Sequence, residues 1–235
     1  MKLKYLVSLA MLASVVGCST TAPSIQTGDD AEATYDGLVR VDNTIMDSVW
    51  ARPDIALAGY NQVLFVPVGI SYRDVEPGDT SGALRQSTRS RRTELQEFQI
   101  DEKTKAAFEA EIGAAFLDEV SSSQVFTVVD EAGPEVLEIG VALLDVVSRV
   151  PPQATGQSRI FIDSVGEATL VLEIRGSMSN TIYARAVDRR AAQRQSEMIE
   201  SNRVTNTSEI RRLGRRWGRI VREGLDTLLT DGISD

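Results

Sequence analysis

Few residues in this chain have side chains suited to bond chemistry, and the first of them is a lone thiol. Cys18 is the single cysteine among 235 residues, so neither a disulfide nor a thiolate metal cage can form within one chain. Histidine is absent. That excludes Ser-His-Asp and Cys-His catalysis, histidine-ligated zinc and the commonest proton shuttle near neutral pH. Beyond Lys2 and Lys4 the only lysines are Lys103 and Lys105; both fall in the first turns of an expected helix, so a Ser-Lys nucleophile is not expected. An enzyme built from what remains would use a carboxylate pair or a carboxylate-bound cation. Asp74, Glu76 and Asp79 cluster in a polar stretch but lack the spacing of a calcium loop. No metal and no other cofactor is expected.

Two arginine-rich sets are candidates for binding. Asp145, Arg149, Asp188, Arg189 and Arg190 fall near the ends of two expected strands and can converge on one edge. They would make either a ligand or partner site or, as we favour, an ion-pair network that organises strand ends and loops. Arg211, Arg212, Arg215, Arg216, Arg219 and Arg222 share the polar side of the last expected helix. A solvated amphipathic face explains them; docking of an acidic protein or an anionic polymer is the functional alternative.

The residues before Cys18 give the thiol its meaning. Lys2 and Lys4 precede an apolar stretch from Tyr5 to Val16, and Gly17 follows. This is the order of a secretory signal peptide, and the stretch is too short for an ordinary membrane span. Val15-Val16-Gly17-Cys18 resembles a lipobox, the signature of bacterial lipoproteins, which implies cleavage after Gly17 and acylation of Cys18, with palmitate among the chains. Ser19, rather than Asp, resembles the sorting pattern for the outer membrane. Residues 18–35 are small, polar and without apolar period, as a flexible tether would be.

Removing residues 1–17 takes two lysines and no acids from a chain with 25 basic and 34 acidic residues, leaving a formal charge of −11. Nucleic-acid binding is therefore not expected, since it needs a basic surface to neutralise phosphates. The remaining length suits one substantial core, so residues 36–235 are expected to form one domain.

Periodicity supplies the elements. Val63-Leu64-Phe65-Val66 reads as a strand whose Pro67 belongs at its end or beside a bulge. Residues 71–99 read as a long polar excursion. Asp101 reads as the N-cap of a helix running to about Val120. A short strand over 125–129 follows and a longer one over 136–147. The first should lie parallel to the strand before the helix; the tight Gly133-Pro134 turn should make the second its antiparallel neighbour. Alternation over 166–174 and 181–188 predicts a hairpin with Glu173 opposite Arg185. From 209 to 229, Ile210, Leu213, Trp217, Ile220, Val221, Leu225 and Leu228 form one apolar helical stripe. Gly214, Gly218 and Gly224 on or beside it suggest close packing against a sheet. Residues 38–50 look ordered, but their element type is not evident.

Several segments together resemble one protein family. These are residues 38–60, 63–72, Leu143-Leu144-Asp145-Val146-Val147-Ser148-Arg149-Val150, Gly166-Glu167-Ala168 and Ala184-Arg185-Ala186-Val187-Asp188-Arg189-Arg190. The family is the group of proteobacterial lipoproteins known as domain of unknown function 3313. The resemblance implies an outer-membrane lipoprotein with an α/β periplasmic domain and carries over no activity or catalytic residue.

The expected architecture is thus α/β (α+β): a mixed sheet of about five strands with two helices on one face. The expected role is a non-catalytic binding, scaffold or regulatory protein. It would be held to the outer membrane by its lipid, face the periplasm, and engage a periplasmic or outer-membrane protein or peptidoglycan. A carboxylate-dependent hydrolase of cell-wall glycan is the alternative, and it requires two acids about 5–10 Å apart in a cleft.

Overall fold

The structure, a computed structural model, describes residues 22–55, 57, 59–75, 97–151, 159–193 and 198–232. Cys18, Glu76 and Asp79 lie outside the described residues. Long alternating or apolar runs form the central strands: β4 (Gln62–Tyr72), β6 (Val136–Ser148), β8 (Gly166–Gly176) and β9 (Ile182–Ala191). Shorter ones complete the set: β1 (Ser24–Ile25), β2 (Val39–Asp42), β3 (Ser48–Ala51), β5 (Thr127–Val128), β7 (Phe161–Ile162) and β10 (Ile199–Glu200). The two helices are α1 (Glu102–Val120) and α2 (Arg203–Thr230). Eight strands make one sheet in the order β1-β2-β3-β9-β8-β6-β4-β5, and β7 pairs with β10 apart from it.

The class is α+β, as expected, with more strands than the five read from pattern. Those not foreseen are short: β1, β2 and β3 each span two to four residues, too few for a period to declare itself. Ordered structure also begins within the stretch read as a tether, since Ile25 on β1 is buried against Val41 and Ala51.

One connection differs from its expectation. β5 and β6 are not neighbours; both run parallel to β4, on its two sides. The chain passes around the start of β4 instead of folding back, and the Glu135 carbonyl accepts the N–H groups of Asn61 and Gln62. Because β5 pairs only with Gln62 and Val63, the rest of β4 is an edge among the described residues. The carbonyls of Asn61 and Val63 point to the β5 side, so by alternation Pro67 turns its missing N–H outward, where no ladder bond is lost. A register break follows it, between Pro67 and Gly69.

The hairpin has the expected register. Glu173 pairs with Arg185, and Arg185 Nε donates to Glu173 Oε2 over 2.8 Å. Both helices cover the same face, where Leu137, Ile139, Leu170, Trp217 and Leu225 form the core. Each starts on a side-chain cap: Asp101 accepts the Thr104 N–H and Asn202 the Thr205 N–H. In α2 the expected stripe faces inward, with Leu213, Trp217, Ile220, Val221 and Leu225 buried.

Two of the three glycines of α2 meet the other helix and not the sheet. A Cβ on Gly214 would lie 2.7 Å from the Ile112 carbonyl oxygen, and one on Gly218 would lie 2.8 Å from that of Phe116. Backbone cannot yield as a side-chain tip can, so these two glycines set how closely α1 and α2 approach. At Gly224 a Cβ would meet nothing within 4 Å. In thermal and chemical unfolding, Gly218→Ala is expected to cost about 1–3 kcal/mol by overpacking. Gly224→Ala should stabilise by about 0.5–1 kcal/mol through helix propensity.

Candidate functional site

Side-chain alternation divides the strand-end residues between the two faces of the sheet. On β9, Asp188 and Arg190 point to the helix side, and Arg189 to the other. The five candidates therefore build two separate clusters.

The helix-side cluster is buried. Asp188 has no solvent exposure and Trp217 is 1 % exposed. Trp217 Nε1 donates to Asp188 Oδ2 over 2.7 Å, Arg190 Nε donates to the same oxygen, and Arg190 Nη2 reaches Oδ1 at 3.0 Å. Arg190 Nη2 also donates to the Ile45 carbonyl over 3.0 Å, which ties the β2–β3 connection to the same point. This is an interior clamp, and the indole N–H is the partner the sequence reading did not assign.

On the open side a bulge in β6 between Leu144 and Val147 places Asp145 in the left-handed region, with φ at 55°. Asp tolerates that conformation better than most residues. Its carboxylate receives Arg73 through two N–H groups, Nε at 2.6 Å, and Arg189 Nη1 at 2.6 Å. Arg73 also binds Glu97, where the chain returns beside the end of β6 through the Phe98 N–H to the Ser148 carbonyl. Arg189 Nη2 donates to Glu167 at 2.6 Å, and Arg149 Nη2 lies 3.2 Å from that carboxylate. Among the described residues, Nε and Nη1 of Arg149 are buried without a hydrogen-bond partner. The structure thus brings Asp145, Arg149 and Arg189 together, apart from Asp188 and Arg190, with Arg73, Glu97 and Glu167 added. Glu167 and Arg189 share a face by alternation alone; Arg73 and Glu97 flank a long excursion and carry no periodic signal.

Three guanidinium groups face three carboxylates here, and the acids respond accordingly. Hydrogen bonds from Arg73, then Arg189, hold the Asp145 carboxyl well below the usual carboxylate range. Burial pushes Glu167 up, but Arg189 and Arg149 outweigh it and its pKa is lowered. Both acids stay ionised near neutral pH and neither is set to donate a proton.

The arginines of α2 do not form one surface. Arg211 binds Glu111 of α1, and Arg219 and Arg222 each lie 3.8 Å from Glu119 of α1. Arg222 also reaches Asp226 at 3.2 Å, and Arg212 holds buried Glu209 at 2.8 Å. Arg215 and Arg216 are exposed, with no ion-pair partner among the described residues. Glu111 and Glu119 lie eight residues apart on α1, so helix pairing accounts for half of the set.

The Asp145 cluster makes a pH prediction. A carboxyl with a depressed folded pKa contributes stability above its unfolded value, near 3.9, and loses it as pH falls through the folded value. Asp145→Asn keeps a side chain suited to positive φ and removes the charge. It should lower the melting temperature at pH 7, and the difference from the parent should shrink steadily below pH 4 in calorimetric scans.

Comparison with known proteins adds a family and little else. Among curated proteins, none matches the sequence. Solved structures similar to this chain include a PelC dodecamer from Paraburkholderia phytofirmans, at 8 % identity and TM-score 0.30, covering 74 % of this chain and 94 % of that one. A Xanthomonas campestris protein of family DUF330 is similar at 12 % and 0.34, covering 76 % and 89 %. A neuraminyllactose-binding hemagglutinin homolog from Helicobacter pylori is similar at 12 % and 0.32, covering 74 % and 84 %. Scores this low carry no argument about function. The family model described as "Protein of unknown function (DUF3313)" matches residues 27–221, and the chain belongs to that family.

Proposed function

We propose that this protein is an outer-membrane lipoprotein, anchored through acylated Cys18, whose domain binds another envelope protein and performs no bond chemistry of its own. The observation that carries the reading is a face of the sheet that no helix among the described residues covers. α1 and α2 lie on one side only. By register the other side presents Ala142 and Leu144 of β6, Val171 of β8, Val187 of β9 and Val66 of β4. Val68 joins them, since a Cβ on Gly140 would touch its Cγ2 at 3.3 Å.

Parallel strands such as β4 and β6 are ordinarily covered on both faces. Here Val68 is 68 % and Leu144 43 % exposed, an apolar area suited to a protein partner. The ion pairs of Glu173 with Arg185 at one end and of Asp145 with Arg189 at the other give that area a polar rim. The anchor reading rests on the lysines, the apolar stretch and Gly17-Cys18. No helix among the described residues is long and apolar enough to cross a membrane, and acyl chains on Cys18 would supply the attachment instead.

The glycan-hydrolase reading draws no support from Asp145 and Glu167, two acids of the strand-end cluster. Both have lowered pKa values, whereas a general acid needs a raised one.

A photo-crosslinking residue placed at Val68 or Leu144 in living cells should give one discrete adduct with an envelope protein. The same residue at Val204, which is 79 % exposed but lies on α2 at the opposite side of the sheet, should not. Cys18→Ser should abolish incorporation of labelled palmitate and weaken the adduct. Identical smears from all three positions, or adducts with peptidoglycan alone, would overturn the proposed protein docking.

A further inference from the structure

A second feature, independent of the open face, lies on the helix side. Between α1 and the β4 edge is a cleft of about 390 Å³. Phe65, Pro67 and Ile70 of β4 and Ile112, Phe116 and Leu117 of α1 form its walls, and it runs inward to Leu170 and Trp217. Leu170 and Trp217 are each 1 % exposed, so its floor is the protein core, while Leu117 at 45 % exposure stands toward solvent.

The chemistry of the lining restricts what can occupy it. Glu109 is the single charged residue among those that line it. The indole N–H of Trp217 is already donated to Asp188. No side chain on the walls or floor offers a free donor, so the inserted part of a ligand must be hydrocarbon. The space equals about thirteen water-sized groups at about 30 Å³ each, whereas a cavity of about 150 Å³ suffices for benzene.

Gly113 makes the cleft look kept open by the sequence. It is an interior residue of α1 and lines the space, and a Cβ there would meet nothing within 4 Å. Gly214 and Gly218 are required by helix contact; Gly113 is not. It gives up about 1 kcal/mol of helix propensity relative to alanine and leaves a void beside the core. In the first half of α1, Glu109 accepts the Tyr72 hydroxyl at 3.0 Å, and Lys105 lies one turn earlier, its Nζ 5.0 Å from the centre of the Tyr72 ring and donating to Glu102 at 2.7 Å on the exposed side. A carboxylate and an ammonium one turn apart complement a head group carrying both charges, which would compete with Glu102 for the ammonium.

We infer that this cleft binds the alkyl chain of a single-chain zwitterionic lipid, with the head group against Glu109 and Lys105. The site lies away from the Asp145 cluster and from the uncovered face, so ligand and docked protein can be held at once.

The test uses the full-length chain carrying Trp50→Phe, which leaves Trp217 as the sole tryptophan, and tail-brominated dodecylphosphocholine below its micellar concentration. Saturable one-to-one quenching of Trp217 is expected. Gly113→Leu should weaken it about 100-fold, because leucine occupies the room of three to four methylenes and each one displaced costs a factor of about four. The same variant should unfold at or above the parent temperature. Leu117→Glu, at an exposed position that folding does not need, should weaken binding by about tenfold or more, while Gly113→Ala should weaken it by no more than about fourfold. Absence of saturable quenching, or equal quenching in Gly113→Leu and Leu117→Glu, would overturn the assignment.

Discussion

A carboxylate sealed from solvent between helix and sheet is the constraint on which the architecture turns. Burying Asp188 costs several kcal/mol unless its oxygens are satisfied, and three N–H groups from two directions satisfy them. Only one placement of α2 brings the Trp217 indole to that oxygen while its stripe of Leu213, Val221 and Leu225 faces the core. The bond thereby fixes both the rotation of α2 and its position along the sheet. Arg190 extends the constraint to Ile45, at the connection that brings β2 and β3 alongside β9.

The rest follows by contact. With α2 placed, Gly214 and Gly218 admit the backbone of α1 to close range, and Arg211, Arg219 and Arg222 meet Glu111 and Glu119 across the seam. Glycines fix the spacing and ion pairs favour the register; exposed pairs of this kind contribute little stability on their own. The position of α1 then determines how much of β4 it covers. Among the described residues the edge beyond Val63 lacks a partner strand, and the space beside Gly113 stays open.

Period was the most readable property of the sequence. The α2 stripe, the cap at Asp101 and the 166–188 hairpin all repeat or sit at fixed offsets, so local rules reach them, whereas the Asn202 cap and the first two turns of α2 lie in a polar stretch without apolar period. The same period-two rule separates Asp188 and Arg190 from Arg189, which the grouping of all five strand-end residues overlooked. What stayed hidden depends on distant partners. β1 to β3 become strands because β9 offers an edge, not because four residues alternate. β5 and β6 flank β4 because the connection between them wraps its end, and a Gly-Pro turn is compatible with either path. The role of the α2 glycines needed the partner helix to be known, since close packing on a sheet and on a helix demand the same residue. Arg73 binds Asp145 and is joined there by Glu97 from the far side of more than twenty intervening residues, a distance across which no pattern in the chain connects them.

The Asp188–Trp217 bond is tested most directly by a double-mutant cycle. Asp188→Asn, Trp217→Phe and the double variant would be unfolded in denaturant and compared with the parent. The account predicts a coupling of about 1–3 kcal/mol between the two sites, as for a buried bond to a charged acceptor. Single effects that add to within about 0.3 kcal/mol would contradict it, because the carboxylate and the indole would then contribute to the fold independently.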